Sequence, residues 1–399
     1  MSSASPKNRW LGINWQLSGS SGWGLLGMNL AMQAEQDADY AALPLMGASR
    51  FDWFPPDHTT ALAAILDRGK KALAGYTKGK AARLDFPVLH SLGNQLRLHD
   101  AAQRLVGEKN IGFVFFEESK MGADVVSVAN RFDTLLTGSS WNTEVLRRKN
   151  VTNAHTLFQG LDLSIFRPVR PSRAEGNPFV IFSGGKLEFR KGQDIVVEAF
   201  RRFRKRHREA ILLTVWHNHW PHLMRGIESM GYVFGLPVVG PEGSLELTPW
   251  LEQNGIPPEA VFNLPVVPNY AMPEVYQQAD VALFPNRCEG GTNLVAMECM
   301  ASGLPTILSA NTGHLDLIDE KHCYPLLHQA PVKSVPGLTN GTAGWGESNV
   351  DEIVERLEQV YLDANEAEKR GEAATSFMRD WSWQRCFAGL KGVLGDASD

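Results

Sequence analysis

Apolar residues in this chain come in short unbroken runs, at 10–15, 86–90, 111–117, 179–183, 211–216, 260–264, 279–285 and 305–308. Runs of that length without polar alternation are what parallel strands buried on both faces look like. Between them the apolar spacing changes to the three- and four-residue repeat of amphipathic helices, as at 25–36, 193–205 and 351–370. Strand and helix in alternation predict an α/β protein built on parallel sheets. A chain of 399 residues exceeds one ordinary core, so two domains are expected.

Composition narrows the picture without changing it. A hydrophobic share of 43% and a charged share of 21% describe a soluble globular protein. The net charge of -5 gives no reason to expect nucleic acid as the partner. No apolar run approaches the roughly eighteen residues a membrane span needs, and the first nine residues lack a leader's apolar segment. Cys288, Cys299, Cys323 and Cys386 show no metal-ligand spacing and fit reduced thiols in a cytoplasm.

The densest signal is the stretch 285–305, PNRCEGGTNLVAMECMASGLP. The apolar run before it stops at Pro285, and Gly290 and Gly291 then let the backbone approach something closely. Thr292 or Asn293 can cap a new helix, which Gly303 and Pro305 end. A strand that delivers a glycine-rich turn onto a helix N-terminus suits an anion, typically phosphate. Leu294, Val295, Ala296, Met297, Cys299, Met300 and Ala301 cover the helix nearly all round, so it should be buried. Glu298 sits among them and needs a partner, either a lysine or the hydroxyls of a ligand.

A second glycine-rich turn, 184–192, follows the run at 179–183 and reads GGKLEFRKG. Lys186, Arg190 and Lys191 beside its glycines predict a fixed positive pocket, or else a basic surface turn. Gly22 and Gly24 follow the first run and form either a plain βα turn or a ligand loop. His90 and Glu117 end two strands, where open α/β sheets bind ligands, and either could orient an acceptor hydroxyl. For His90 a structural hydrogen-bonded role is the equal alternative. Asp37 and Asp39 have the spacing of a metal-binding pair but follow a helix, which predicts a solvated surface.

Arg68, Lys70, Lys71, Lys78, Lys80 and Arg83 make a basic run. It is a solvated helix and loop, or a face for an anionic membrane surface or a phosphorylated acceptor. The cluster at 201–208, RRFRKRHR, reads as the exposed end of a helix.

Glu289, the glycine-rich turn and E-C-M-A-S-G-L-P from Glu298 resemble the donor motif of retaining family 4 (group 1) glycosyltransferases of the GT-B fold. The turn Gly185-Lys186 to Lys191-Gly192 is similar to that family's G-R-x-x-x-x-K-G, with Lys186 in place of arginine. The resemblance implies two Rossmann-like domains facing across a cleft. Residues 1–167 would form the acceptor domain, 168–178 a linker and 179–375 the nucleotide-sugar donor domain, with a helix in 376–399 crossing back to the first. It implies that Glu298 holds the ribose and that Lys186 and Lys191, with Arg190, hold the diphosphate. Glu289 would contact the transferred sugar, although Gly290 occupies the expected position because one extra residue separates the two glutamates. Gly290, Gly291, Thr292, Asn293 and Leu294 would meet sugar and phosphate through their backbone, and Gly22 and Gly24 would face the phosphates and acceptor. Where the family often has a histidine near the reacting sugar, Glu117 stands here.

The implied reaction is retaining, metal-independent transfer of a hexosyl unit from a UDP- or GDP-linked sugar to a glycan, a lipid-linked acceptor or another hydroxyl. No resident cofactor is implied, and the expected setting is surface glycan or glycoconjugate synthesis. The place would be the cytoplasm or the inner face of the membrane. A GT-B sugar-nucleotide epimerase or hydrolase, and a non-catalytic sugar-nucleotide-binding protein, remain the alternatives.

Overall fold

The computed structural model describes residues 9–75, 80–98, 104–168, 176–218, 220–240 and 244–395. Lys78 of the basic run and residues 169–175 of the expected linker lie outside them. A first sheet contains β1 (Arg9–Asn14), β2 (Tyr40–Pro44), β3 (Val88–Leu92), β4 (Asn110–Val114), β5 (Thr134–Thr137) and β6 (Ala154–Thr156). Its strands are all parallel, in the order β6-β5-β4-β3-β1-β2. A second sheet contains β7 (Val180–Lys186), β8 (Ile211–His217), β9 (Val261–Asn263), β10 (Val281–Phe284), β11 (Thr306–Ser309) and β12 (Tyr324–Leu326). It too is parallel throughout, in the order β9-β8-β7-β10-β11-β12. The molecule is thus α/β, with two Rossmann-like domains.

The apolar runs become strands because helices cover both faces of each sheet. Ile181, Phe182, Val281, Leu283, Phe284 and Ile307 are all buried, and burying each such side chain contributes about 1.5–3 kcal/mol. Strand order in the second sheet reverses between β7 and β10. In open α/β sheets the crevice outside the carboxyl ends at that reversal takes the ligand. The two chains leaving β7 and β10 are the glycine-rich turns at 184–192 and 285–293.

The helix Trp383–Leu394 leaves the second domain and packs on the first. Trp383, Cys386, Phe387, Leu390 and Leu394 share a core with Leu26, Leu30 and Tyr40 of the first domain. Lys391 Nζ reaches Asp37 at 2.9 Å and Asp39 at 3.6 Å. Asp39 is exposed, as expected of a solvated surface, whereas Asp37 is partly buried and anchors this helix.

Lys70, Lys71, Lys80 and Arg83 of the basic run, and Arg201, Lys205, Arg206 and Arg208 of the cluster at 201–208, are exposed as expected, and what the structure adds is their neighbours' pairing. Arg68 is a partly buried partner of Glu35, at 2.5 and 3.0 Å. In the cluster at 201–208, Arg201 and Arg202 pair with Glu198, Arg202 also with Asp351, and Arg206 and His207 with Glu358. That end of the helix Gln193–Arg204 is therefore bound to the helix Val350–Leu362.

The domains meet directly. The Ser119 and Lys120 amides donate to the Gly341 and Asn340 carbonyls at 3.3 and 3.2 Å, and the Ala343 amide donates to Ser119 Oγ at 2.9 Å. Trp345 Nε1 donates to the Glu117 carbonyl at 2.9 Å. Among the described residues no helix is long and apolar enough to cross a membrane.

Candidate active site

Lys186 is the last residue of β7, and a short 3-10 turn, Phe189–Lys191, brings Arg190 and Lys191 back toward the strand ends. Gly192 closes that turn at φ 70°, where an added Cβ would lie 2.5 Å from the Pro285 carbonyl oxygen. Only glycine lets the two turns touch there.

The expected positive pocket is instead a lattice of alternating charges. Lys186 Nζ lies 3.1 Å from Glu188 Oε1. Arg190 Nε lies 2.8 Å from Glu188 Oε2 and 3.4 Å from Glu117 Oε1. Arg190 Nη1 lies 3.2 Å from Glu289 Oε2, and Lys191 Nζ 2.5 Å from Glu289 Oε1. Arg190 and Lys191 are largely buried, and buried charge is tolerated only when paired. Burial raises the Glu289 carboxyl, but Lys191 and then Arg190 outweigh it and hold the group at about 2. Glu188 behaves alike: burial pushes it up, and Arg190 and Lys186 bring it below the usual range. Lys186 is the most accessible of the three cations, with 34% of its side chain exposed and its ammonium 4.9 Å from the centre of the Trp220 ring.

The loop after β10 is braced from beneath. The Arg287 guanidinium has no solvent exposure; it donates to both Asp194 oxygens at 2.8 and 2.6 Å, to Glu347 at 2.9 Å and to the Phe189 carbonyl at 2.8 Å. The Arg287 and Cys288 amides both donate to the Arg190 carbonyl. Arg287 therefore fixes the cation turn and the Glu289 loop against each other. Asn286 Nδ2 donates to Glu289, and the Glu289 amide donates to Thr312 Oγ1 at 2.9 Å. At Gly290 an added Cβ would stand 2.7 Å from the Phe116 carbonyl oxygen, and Ser139 Oγ donates to the Gly290 carbonyl at 2.7 Å. What Gly290 approaches closely is thus the first domain.

Neither Thr292 nor Asn293 caps the helix Leu294–Ala301 through its side chain. Asn293 stands at the N-cap position with φ 64°, and its amide donates to His314 Nε2 at 3.1 Å. Thr292 Oγ1 turns to Met297 Sδ. His314 Nδ1 donates to Ser309 Oγ at 3.0 Å, which donates to the Asn286 carbonyl at 2.7 Å. Burial drives the His314 pKa down to about 4, so the ring is neutral and can accept from Asn293. The helix's first amides are left without a side-chain cap.

Among the described residues Glu298 has neither a lysine nor any other cation as partner. Asn269 Nδ2 donates to Oε1 at 2.6 Å and the Tyr276 hydroxyl to Oε2 at 2.7 Å. Burial raises its pKa to about 7 against the pull of these two donors. Glu298, Asn269 and Leu294 border a cavity between the domains, about 20 Å³ in volume, with Leu25, Met28 and Asn29 of the first domain opposite. Those three lie on the helix Gly22–Gln36, whose first turn holds Gly22 and Gly24; the Gly24 amide donates to the capping Ser21 hydroxyl.

Glu117 stands three residues beyond β4 and reaches the cation cluster through Arg190. His90 lies inside β3 rather than at its end. Its ring nitrogens are 3.1 Å from Asn14 Nδ2 and 3.1 Å from Asn110 Oδ1, and burial lowers its pKa. This is the structural hydrogen-bonded role.

Glu188, Asp194, Arg287, Asn269 and Tyr276 carry no weight in the sequence reading of the site. Glu188 alone was within reach of it, because it sits inside the cation turn.

Paired Rossmann-like domains, with cations and an uncapped helix N-terminus at the strand-order reversal of the second, define the GT-B glycosyltransferase architecture. Solved structures of that kind superpose over nearly the whole chain. Sucrose-phosphate synthase from Thermosynechococcus elongatus matches with 13% identity and a TM-score of 0.62, covering 97% of this chain and 98% of that one. Anabaena HepE in complex with UDP-glucose matches with 12% identity and a TM-score of 0.58, covering 97% and 99%. The E. coli trehalose-6-phosphate protein bound with UDP-2-fluoro glucose matches with 14% identity and a TM-score of 0.57, covering 98% and 100%. At these identities the likeness shows the fold. Among curated proteins none matches the sequence. The family model of the group 1 glycosyl transferases matches residues 167–377, more than half of the chain, and the chain belongs to that family.

Proposed function

We propose that this glycosyltransferase moves a hexosyl unit from a UDP- or GDP-linked sugar to a hydroxyl of a glycan or lipid-linked acceptor, with retention at the anomeric carbon. The observation that carries the reading is that the turn holding Lys186, Arg190 and Lys191 is tied through Glu289 to the loop that opens an uncapped helix at the reversal point, with Glu298 one turn along that helix. Breaking the bond between the anomeric carbon and the phosphate oxygen leaves negative charge on the nucleoside diphosphate. Fixed cations and helix amides stabilise that charge most where it is greatest, at the transition state. The leaving phosphate oxygen takes the proton of the acceptor hydroxyl as the new bond forms.

The arriving diphosphate replaces Glu188 and Glu289 as partner of the cations, and Glu289 and the backbone at Gly290 and Gly291 turn to the transferred sugar. Glu298 accepts from the ribose hydroxyls. Glu117, on the first domain's side, meets the acceptor. HepE bound to UDP-glucose supports a uridine nucleotide within the same fold.

The test is incubation with UDP-, GDP-, ADP- and CMP-sugars, with and without candidate acceptors, reading product configuration by NMR. Sugar release only as free monosaccharide, or none from any donor, would sink the proposal. The charge at the leaving group is met by side chains, so turnover should survive chelation of divalent ions. Complete loss in EDTA, restored by a metal, would place the charge stabilisation elsewhere.

Glu298→Gln is expected to weaken nucleotide binding without lowering the melting temperature. The Glu298 pKa rises on folding from 4.5 to about 7. Its stabilising share is therefore whole below about 4.5 and is lost as pH climbs through 7. Above that pH the glutamine variant should melt no lower than the parent. Calorimetric titration and a melt on one sample decide it: lower melting with intact binding would make Glu298 a structural group.

A further inference from the structure

Glu298 is an unusual buried carboxylate in that both of its partners are neutral and each takes a different oxygen. The Tyr276 hydroxyl comes from the helix Met272–Tyr276, which leads into β10, and its ring is packed against Phe182 and Phe166 with centroids 5.2 and 6.4 Å away. It is 1% exposed, and burial pushes its pKa well above 10, so the hydroxyl keeps its proton and stays a donor. Asn269 comes from the 3-10 turn Asn269–Ala271 and borders the interdomain cavity beside Glu298.

A carboxylate offers about four acceptor directions, and these two donors use one on each oxygen. What remains is one free direction per oxygen, held in place, which suits two neighbouring hydroxyls better than one. A neutral pair of donors also leaves the negative charge uncancelled for the ligand, as a lysine partner would not.

Resting on the reading of Glu298 as the ribose ligand, we infer that Tyr276 and Asn269 are positioning residues that orient its carboxylate to accept from both ribose hydroxyls of the donor. Their effect is felt through Glu298 and should appear as selectivity for the intact ribose.

The experiment titrates UDP and GDP, and the 2′-deoxy and 3′-deoxy forms of each, into the parent, Tyr276→Phe, Asn269→Ala and Glu298→Gln. Melts of the same samples exclude misfolding. Losing one hydrogen bond to a charged group corresponds to roughly 10-fold in affinity. Tyr276→Phe and Asn269→Ala should each bind the ribonucleotide roughly 10-fold more weakly while losing less for the deoxy forms, so that the parent's preference shrinks. In turnover this should raise the donor KM with far less change in kcat. A folded Tyr276→Phe and a folded Asn269→Ala that keep the parent's preference would overturn the inference, provided Glu298→Gln loses it. If Glu298→Gln also keeps full affinity and preference, the ribose reading itself falls and the inference with it.

Discussion

Replacing Lys191 with alanine is expected to lower kcat by on the order of 100- to 1000-fold, the usual cost of losing one preorganised contact to developing charge. The Lys191 ammonium sits 2.5 Å from Glu289 and is little exposed, so the fold holds it in place. An interaction that strengthens as the leaving group takes on charge acts on the chemical step more than on binding. The loss should therefore show at saturating donor, with a smaller rise in KM. The variant also strips Glu289 of its closest counter-charge while Arg190 remains at 3.2 Å. Some loss of melting temperature is expected and must be measured alongside. Normal kcat in a folded Lys191→Ala enzyme would remove this lysine from the mechanism.

Arg287→Met should be the most destabilising single change near the site. Burial works against the Arg287 charge, but Asp194 and then Glu347 hold the guanidinium firmly protonated. Taking it away leaves Asp194, with no exposure at all, facing no cation, and Glu347 nearly so. Breaking a buried pair from one side costs about 3–5 kcal/mol. For a domain of this size that corresponds to a melting point lower by roughly 10 °C. The double variant Asp194→Leu with Arg287→Met should recover part of the loss, because it removes both charges at their most buried contact. Arg287→Met melting with the parent would show that the triad does not hold the two turns together.

The strands and the two glycine-rich turns were legible in the sequence because they depend on local patterns. Unbroken apolar runs such as 179–183 and 279–285 need cover on both faces, and glycines at 192 and 290 announce a close approach. What the glycines approach was not legible. Gly290 meets Phe116, which is distant in the chain, and no local spacing reveals that contact. The charge pattern failed for the same reason. A count of cations in residues 184–192 shows a basic turn; Glu188 inside it offsets part of the charge, but Glu289 and Glu117, which complete the pairing, arrive from another loop and another domain. Glu298 was conspicuous as a polar residue in an apolar helix. Its partners were not, since Tyr276 reads as one more amphipathic position in a helix of its own.

The helix Trp383–Leu394 bears on how the molecule is made. Five of its residues belong to the core of the first domain, so that core is unfinished while the ribosome is still adding the second. Chain growth at about 5–20 residues per second leaves the gap between the first sheet and its last helix open for roughly 10 to 50 seconds. During that interval Leu26, Leu30 and Tyr40 lack their final cover. The second domain, whose sheet and covering helices are complete by Met378, can reach its packed state before the first one does, although it is synthesised later.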